Sequence, residues 1–158
     1  MDKDELKFYL KKSGIDFIEH KHPAVYTVEE ASRYEGDLDF MHCKSLFIKG
    51  KKSRNFYMVI MLADKRLDLK YLESGLHEKL TFASKEDLAR ILNIYPGAVG
   101  PFSLMNENAS KVIVLIEKAI WDGDKVGFHP NDNTETLELS GEDFRKYISS
   151  LKNKIVII

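Results

Sequence analysis

The sequence predicts a single domain, residues 1–158, of the mixed α/β (α+β) class, with a largely antiparallel and partly closed sheet surrounded by helices. Short runs rich in β-branched residues, typical of strands, alternate irregularly with amphipathic segments that begin at helix-capping residues. A regular βαβ alternation is missing, as are the glycine fingerprint of dinucleotide-binding folds and the Walker loop. The chain has 158 residues, 44% of them apolar, which is enough for one buried core, and it contains no internal repeat.

The first third of the chain is expected to contain two helices separated by a strand. Residues 2–13 form an amphipathic pattern, and Gly14 follows as a helix stop. Residues 15–20 alternate as in a short strand, which a His-Pro pair ends. Residues 27–30 (Thr-Val-Glu-Glu) make a capping box, so a second helix should run from there to about Tyr34.

The middle of the chain is expected to supply the centre of the sheet. Residues 41–49 and 56–62 are two strands around a basic turn, and the second is apolar throughout, as in a strand buried on both faces. Shorter elements follow, namely helices over 68–74, 84–92 and 140–151 and strands over 80–83, 111–117, 125–128, 136–139 and 155–158.

Composition excludes several classes of protein. The formal net charge of -1 gives no general attraction for nucleic acid, so contact with phosphates requires a local basic patch. The single cysteine, Cys43, excludes an intrachain disulfide and an all-cysteine zinc site. Nothing at the N-terminus resembles a signal peptide, and no apolar run approaches the roughly 20 residues of a membrane span. These features favour a soluble, cytoplasmic protein with no membrane partner.

Two loops flank a short strand in the second half of the chain. Loop 96–102 (Pro-Gly-Ala-Val-Gly-Pro-Phe) contains prolines that fix φ and glycines that permit positive φ. Loop 127–134 carries a His-Pro-Asn segment, and the strand over 111–117 should hold the two loops in a fixed relation. Such a rigid backbone can bring amide groups close to a ligand, although the same residues are also typical of an ordinary turn.

Residue types alone leave the candidate side chains open to two interpretations. Lys44, at the start of an apolar run, is typical of a solvated edge charge, and His129, before a proline, is typical of a turn. The basic turn over 49–54 is either fully solvated or a contact for phosphates. The histidines around Cys43 match no zinc-binding spacing, so no metal site is expected.

Four separated segments, in this order, carry a resemblance to a known family. They are residues 22–31 (His-Pro-Ala-Val-Tyr-Thr-Val-Glu-Glu-Ala), 44–49 (Lys-Ser-Leu-Phe-Ile-Lys), 96–102 and 127–134 (Gly-Phe-His-Pro-Asn-Asp-Asn-Thr). Together they resemble the YbaK/ProX superfamily of aminoacyl-tRNA deacylases over nearly the whole chain. The Pro-Gly-x-Val-x-Pro-Phe loop and the His-Pro-Asn segment are similar to those of freestanding prolyl-tRNA editing proteins that hydrolyse alanyl-tRNA(Pro).

The resemblance implies a site built from these segments. Lys44 matches the family's lysine, which would hold the terminal ribose or phosphate of tRNA and offset charge on the ester carbonyl. His129 would hydrogen-bond the aminoacyl group or the attacking water, with Asn131 fixing its position. The other implied substrate-binding residues are Ser45, Gly97, Ala98, Val99, Gly100, Pro101 and Phe102, and the implied tRNA-binding residues are Lys49, Lys51, Lys52 and Arg54.

The implied reaction is trans-editing, the hydrolysis of the ester bond of mischarged tRNA(Pro), first of all alanyl-tRNA(Pro), without a metal or other cofactor. A synthetase site built for proline cannot strongly reject the smaller alanine, since a missing methylene is worth about 1–3 kcal/mol, so a second, smaller pocket is needed. The implied partners are the acceptor end of tRNA(Pro) and prolyl-tRNA synthetase.

Two alternatives stay open at this point. Ser45 stands where alanine-specific relatives often have asparagine, so the substrate is alternatively cysteinyl-tRNA(Pro) or another small aminoacyl-tRNA. The second alternative is a non-catalytic module that binds tRNA with the same fold.

Overall fold

The computed structural model describes residues 1–158 and contains six α-helices and eight β-strands. The helices are α1 (Lys3–Lys12), α2 (Val28–Glu35), α3 (Leu69–Leu76), α4 (Lys85–Asp87), α5 (Lys118–Trp121) and α6 (Gly141–Ser150). The strands are β1 (Ile18–Lys21), β2 (Met41–Gly50), β3 (Phe56–Leu62), β4 (Leu80–Phe82), β5 (Ile113–Ile116), β6 (Lys125–Phe128), β7 (Glu135–Ser140) and β8 (Ile155–Ile157). A π-helical turn, Leu88–Leu92, continues α4, and 3-10 turns cover Pro101–Met105 and Glu107–Ala109. Each predicted helix and strand has a counterpart, whereas α5 was not predicted.

The helices begin where the sequence places capping side chains. Side-chain oxygens accept backbone amides of the first turn at Asp2, Thr27, Asp68, Ser84 and Ser140. In α2 the capping box is incomplete, because the Glu30 carboxylate accepts the amide of Tyr26 rather than that of the Thr27 cap. The predicted starts of these helices are therefore correct even where the details of the cap differ.

Strand β2 joins the two halves of the sheet. The strand order is β1-β7-β6-β2-β3-β5-β8, with β4 also paired to β2. The first residues of β2, Met41 and His42, pair in parallel with β6, and the rest pairs antiparallel with β3. Four of the seven pairings are antiparallel and three are parallel, which confirms the mixed class.

The sheet is open, so the partial closure expected from the sequence does not occur. Strands β1 and β8 lie at opposite ends of the strand order and do not pair with each other, and β4 is a further edge strand that pairs with β2 alone. The reason is that β5 and β8 add to β3 as successive parallel strands and extend the sheet in one direction.

The core lies on both faces of β3, as its uninterrupted apolar sequence predicted. Met58 and Ile60 face a large cluster that includes residues of α1 and α6. Tyr57, Val59 and Met61 face a smaller cluster that includes Leu72 and Leu80 of α3 and β4. Burial of each such side chain contributes roughly 1.5–3 kcal/mol, so β2 and β3 form the rigid base on which the neighbouring loops rest.

Helix α6 fixes the loop over 96–102 against this core. The Tyr147 hydroxyl, fully buried, donates a hydrogen bond of 2.8 Å to the carbonyl of Pro101. The ring of Tyr147 also packs against that of Phe102, with centroids 5.1 Å apart. The C-terminal half of the loop is therefore part of the core.

Across the whole chain, no helix combines the length and the apolar character needed to span a bilayer.

Candidate active site

A cavity of about 330 Å³ opens where β2 leaves β6 and continues along β3. Nineteen residues line it, drawn mainly from the segment that leads into α2, from α2 itself, from β2, from the loop over 96–102, and from the end of β6 with the residues that follow it. Among them are Lys44, Ser45, Gly97, Val99 and His129. The fold thus brings one predicted cation, one predicted histidine and part of the predicted backbone loop to a single concavity.

Lys44 is the one lysine or arginine in the cavity wall. Its Nζ donates a single hydrogen bond, to the backbone carbonyl of Lys65 in the turn after β3. An ammonium group carries three donors, so two remain for a ligand. Lys44 is therefore held at the rim of the cavity with spare capacity to bind an anionic or carbonyl oxygen.

His129 presents one ring nitrogen to the cavity. Its Nδ1 lies 2.8 Å from the backbone carbonyl of Glu135, and because a carbonyl can only accept, Nδ1 carries the proton. Burial lowers the pKa of His129 below its ordinary value of 6.5, an effect that the Glu135 hydrogen bond opposes only in part. Near neutral pH the ring is therefore uncharged, and the lone pair of Nε2 is available as an acceptor.

The loop over 96–102 offers free backbone donors. Gly97 has a φ of 95°, and a Cβ there would lie 3.1 Å from the Tyr26 ring, so glycine is required. The amides of Gly97, Val99 and Gly100 donate to no protein acceptor, whereas the amide of Ala98 donates to the carbonyl of Tyr95. Gly97 and Val99 line the cavity, so their unpaired amides lie next to the space that a ligand would fill.

Four predicted substrate-binding residues of this loop lie outside the cavity wall. Ala98 and Phe102 are buried in the large core cluster. Gly100 and Pro101 are also buried, and their carbonyls accept hydrogen bonds from Ser103 and Tyr147. The 3-10 turn that begins at Pro101 points these residues inward, so they support the loop instead of meeting a ligand.

Asn131 does not position His129, contrary to the prediction. It has a φ of 61°, lines a separate shallow cavity, and directs its Nδ2 to the carbonyl of Met1 at 3.4 Å. The residue that organises this region is Asn133, which the sequence did not single out. Its Nδ2 donates to the Val25 carbonyl at 2.7 Å, and its Oδ1 accepts from the Tyr95 hydroxyl at 3.0 Å.

The four predicted tRNA-binding cations lie away from the cavity. Lys49 is engaged by Asp87, with its Nζ 2.7 Å from Oδ2, and this hydrogen bond holds the pKa of the Asp87 carboxyl well below its usual range. Lys51, Lys52 and Arg54 are exposed at the turn between β2 and β3. At about 3.3 Å per strand residue, this turn is roughly 20 Å from Lys44.

A buried polar network that the sequence did not predict forms another part of the wall. Glu35, at the end of α2, is only 5% exposed, and its Oε1 accepts a hydrogen bond of 2.5 Å from the Thr136 hydroxyl. Nε2 of His22 lies 2.9 Å from the same oxygen. Nδ1 of His42 lies 3.9 Å from the other oxygen, Oε2. Glu35 is the one carboxylate in the wall, as Lys44 is the one ammonium.

Cys43 and the histidines near it in the sequence lie in surroundings unlike a metal site. No three His, Cys, Asp or Glu side chains come together as a metal-binding group. Burial raises the pKa of the Cys43 thiol to about 12, so it stays protonated and donates to the carbonyl of Met41. His20 pairs with Glu138 across β1 and β7, with 3.0 Å between Nε2 and Oε1.

Likeness to known proteins identifies the class. The family model for the aminoacyl-tRNA editing domain matches residues 22–147, which is most of the chain. The chain therefore belongs to the aminoacyl-tRNA editing domain family, and the resemblance drawn from the sequence is confirmed. Editing of this kind removes an amino acid from tRNA, so the predicted enzyme class, an aminoacyl-tRNA deacylase, is confirmed as well.

Two curated proteins and one solved structure show what this chain is similar to. The prolyl-tRNA editing protein ProX of Acetoanaerobium sticklandii is 35% identical over 152 residues, which cover 95% of this chain and 88% of that protein. Prolyl-tRNA synthetase associated domain-containing protein 1 of Mus musculus is 32% identical over 87% of this chain and 84% of its own length. A crystal structure described as a proposed trans-editing enzyme for prolyl-tRNA synthetase superimposes with a TM-score of 0.73 over 98% of this chain and 94% of that chain. At 16% identity, that structure shows the shared fold alone.

Proposed function

We propose that this protein hydrolyses the ester bond of mischarged tRNA(Pro), with alanyl-tRNA(Pro) as its main substrate. The observation that carries the proposal is the convergence of Lys44, the free amides of Gly97 and Val99, and Nε2 of His129 on one cavity. The names of the relatives, which refer to prolyl-tRNA editing and to prolyl-tRNA synthetase, support this choice of tRNA. The proposed partners are accordingly the acceptor end of tRNA(Pro) and prolyl-tRNA synthetase.

The site has the groups that ester hydrolysis requires. A water molecule held by Nε2 of His129 attacks the ester carbonyl carbon, and the imidazole takes the proton that the water loses. The carbonyl oxygen becomes an oxyanion, which the free amides and the Lys44 ammonium stabilise. The bond from the carbonyl carbon to the terminal ribose oxygen then breaks, and that oxygen receives the proton. The products are the free amino acid and tRNA with an intact 3′ terminus.

Selection against proline is a matter of size. The cavity wall includes four apolar side chains, those of Val25, Val28, Leu46 and Val99. The backbone at Gly97 lies against the Tyr26 ring. We expect this wall to favour a small aminoacyl group and to disfavour a proline ring, which requires more room at the same ester position. The cavity would then act as the second sieve that a proline-specific synthetase lacks.

A second candidate substrate is cysteinyl-tRNA(Pro), and one observation favours it. Ser45 lines the cavity, and its hydroxyl, which is closed off from solvent in this structure, has no hydrogen-bond partner in the protein. Turned towards the cavity by rotation about χ1, that hydroxyl would be better satisfied by a thiol or hydroxyl side chain than by a methyl group. Cysteine, and behind it serine, is therefore the alternative to alanine.

Deacylation of alanyl-, cysteinyl- and prolyl-tRNA(Pro) by the wild type and by Lys44→Ala tests the proposal. We expect the wild type to hydrolyse alanyl-tRNA(Pro) fastest and prolyl-tRNA(Pro) slowest, and Lys44→Ala to be slower by about 10²–10³-fold, as for loss of one oxyanion donor. Lys70→Ala, an exposed cation of α3, is the matched control and should be unchanged. Hydrolysis of cysteinyl-tRNA(Pro) alone would replace alanine by cysteine, and hydrolysis of none of the three would indicate a module that only binds tRNA.

A further inference from the structure

The cavity wall contains one acidic side chain and one basic side chain. Of the 19 residues that line it, Glu35 is the one acid and Lys44 is the one lysine or arginine. They come from different elements, α2 and β2. An aminoacyl ester of tRNA also has two charged ends, a cationic α-ammonium on the amino acid and an anionic phosphate beyond the ribose. The wall therefore has one charge for each end of the substrate that the proposed function implies.

The burial of Glu35 requires an explanation. It is the one buried residue of α2, although glutamate is almost never fully buried without a partner. One of its oxygens is engaged, because Oε1 accepts a hydrogen bond from the Thr136 hydroxyl and lies 2.9 Å from Nε2 of His22. These contacts fix the carboxylate in a single orientation within the wall.

The second oxygen of Glu35 is not used by the protein. Oε2 accepts no hydrogen bond, and its nearest cationic or imidazole neighbour is Nδ1 of His42, at 3.9 Å. It is not among the polar atoms sealed from solvent without a partner, so it keeps access to the cavity. A carboxylate oxygen in such a site is stabilised by a charged donor more than by any neutral one.

We propose that Oε2 of Glu35 binds the α-ammonium group of the aminoacyl ester. The substrate class is then restricted to esters with a free α-amino group, and esters with an acylated or replaced amine are poor substrates. This inference rests on the proposed function, because it assigns a further recognition contact to the same cavity. His22 and Thr136 act as positioning residues, since they hold Glu35 but leave Oε2 open.

Lactyl-tRNA(Pro) is the probe, because it has a hydroxyl in place of the ammonium of alanyl-tRNA(Pro) and the same size. Each kcat/KM is divided by the uncatalysed hydrolysis rate of the same ester. We expect the wild type to prefer the alanyl ester by about 10–100-fold, the range for a hydrogen bond to a charged group. Glu35→Gln should bring this ratio close to one by slowing hydrolysis of the alanyl ester and leaving that of the lactyl ester unchanged. Glu29→Gln, the same change at an exposed position of α2, should keep the wild-type ratio.

Each other outcome would refute either the Glu35 contact or the proposed function. Equal hydrolysis of the two esters by the wild type would refute the Glu35 contact while leaving the proposed function intact, and it requires no variant to fold. An equal loss on both esters in Glu35→Gln would assign Glu35 a structural role only. If the wild type hydrolyses neither ester, the proposed function itself fails.

Discussion

His129 shows how the burial of one residue sets the chemistry of the site. Loss of solvent around its ring lowers the pKa of His129, so the neutral, accepting form persists at a pH where an ordinary histidine is already charged. The same shift affects stability. Because the unfolded chain binds a proton near pH 6.5 and the folded site resists it, this contribution is present above pH 6.5 and is lost as the pH falls towards the folded pKa.

The deacylation rate should therefore decline at acid pH because His129 becomes protonated. In single-turnover assays between pH 5 and 7.5, with uncatalysed hydrolysis subtracted, we expect a plateau near neutrality and a decline with an inflexion below 6.5. His129→Ala should be slower by about 10²–10⁴-fold and should lose the inflexion. His77→Asn, an exposed position whose positive φ asparagine tolerates, should keep it. An acid limb that survives in His129→Ala would exclude His129 as the base.

At the scale of elements, Asn133 ties three loops together at the entrance to the cavity. It joins the segment before α2, through Val25, to the loop after Tyr95 and to its own loop before β7. The hydrogen bond to the Val25 carbonyl is buried, which makes it costly to break, while the two with the Tyr95 hydroxyl are partly buried. The position of Gly97 in the cavity wall therefore depends on a side chain that does not itself line the cavity.

Asn133→Ala should lower the free energy of unfolding by about 2–3 kcal/mol, because it leaves the buried Val25 carbonyl without a partner and removes the acceptor for the Tyr95 hydroxyl, which keeps only the backbone amide of residue 133. For a chain of this size, the expected fall in Tm is about 5–10 °C. Asn131→Gly is the control, since glycine accepts the positive φ and the amide of Asn131 makes only one long hydrogen bond. Thermal unfolding of both variants measures the difference, and equal Tm values would show that Asn133 does not clamp the loops.

At the scale of the whole molecule, the basic turn and the cavity lie at different ends of β2. Lys51, Lys52 and Arg54 are exposed there, while Lys49 is committed to Asp87. The separation of roughly 20 Å is too long for one nucleotide but suits a tRNA acceptor arm that extends from the cavity along the strand. We therefore predict that the basic turn binds tRNA without taking part in the chemistry.

The triple variant Lys51→Ala, Lys52→Ala, Arg54→Ala should raise the KM for aminoacyl-tRNA and leave kcat unchanged. It should also flatten the plot of log Kd against log salt concentration by about 2–3 units of slope, one for each lost phosphate contact. An aminoacylated CCA trinucleotide is the control substrate, because it is too short to reach the turn and should be hydrolysed equally by both proteins. An equal loss on the trinucleotide would place the effect at the cavity instead.

The sequence predicted those features that depend on local pattern or on matched motifs. The apolar run of β3 predicted a strand buried on both faces, and the motif matches placed Lys44, Gly97 and His129, which all reach one cavity. The open sheet was missed because the parallel additions of β5 and β8 join segments that are far apart in the chain.

Side-chain direction and distant pairing account for the other errors. Asn131 and Asn133 are two residues apart in one loop, and the positive φ at Asn131 decides which of them turns inward. From the sequence, Glu35 is expected to be a surface residue of an amphipathic helix. It is buried because it accepts a hydrogen bond from Thr136, which lies 101 residues away in the chain. The local sequence therefore predicts neither the inward direction of Asn133 nor the burial of Glu35.

Helix α2 covers the cavity, yet the one side chain that it buries is a carboxylate. Breaking the contacts of Glu35 with Thr136 and His22 would leave a buried carboxylate without partners, so they are costly to lose. Because hydrogen bonds depend on direction, these contacts fix the angle at which α2 lies over the floor built from β2 and β6. The roof of the cavity is thus aligned by one charged side chain and not by the hydrophobic interior.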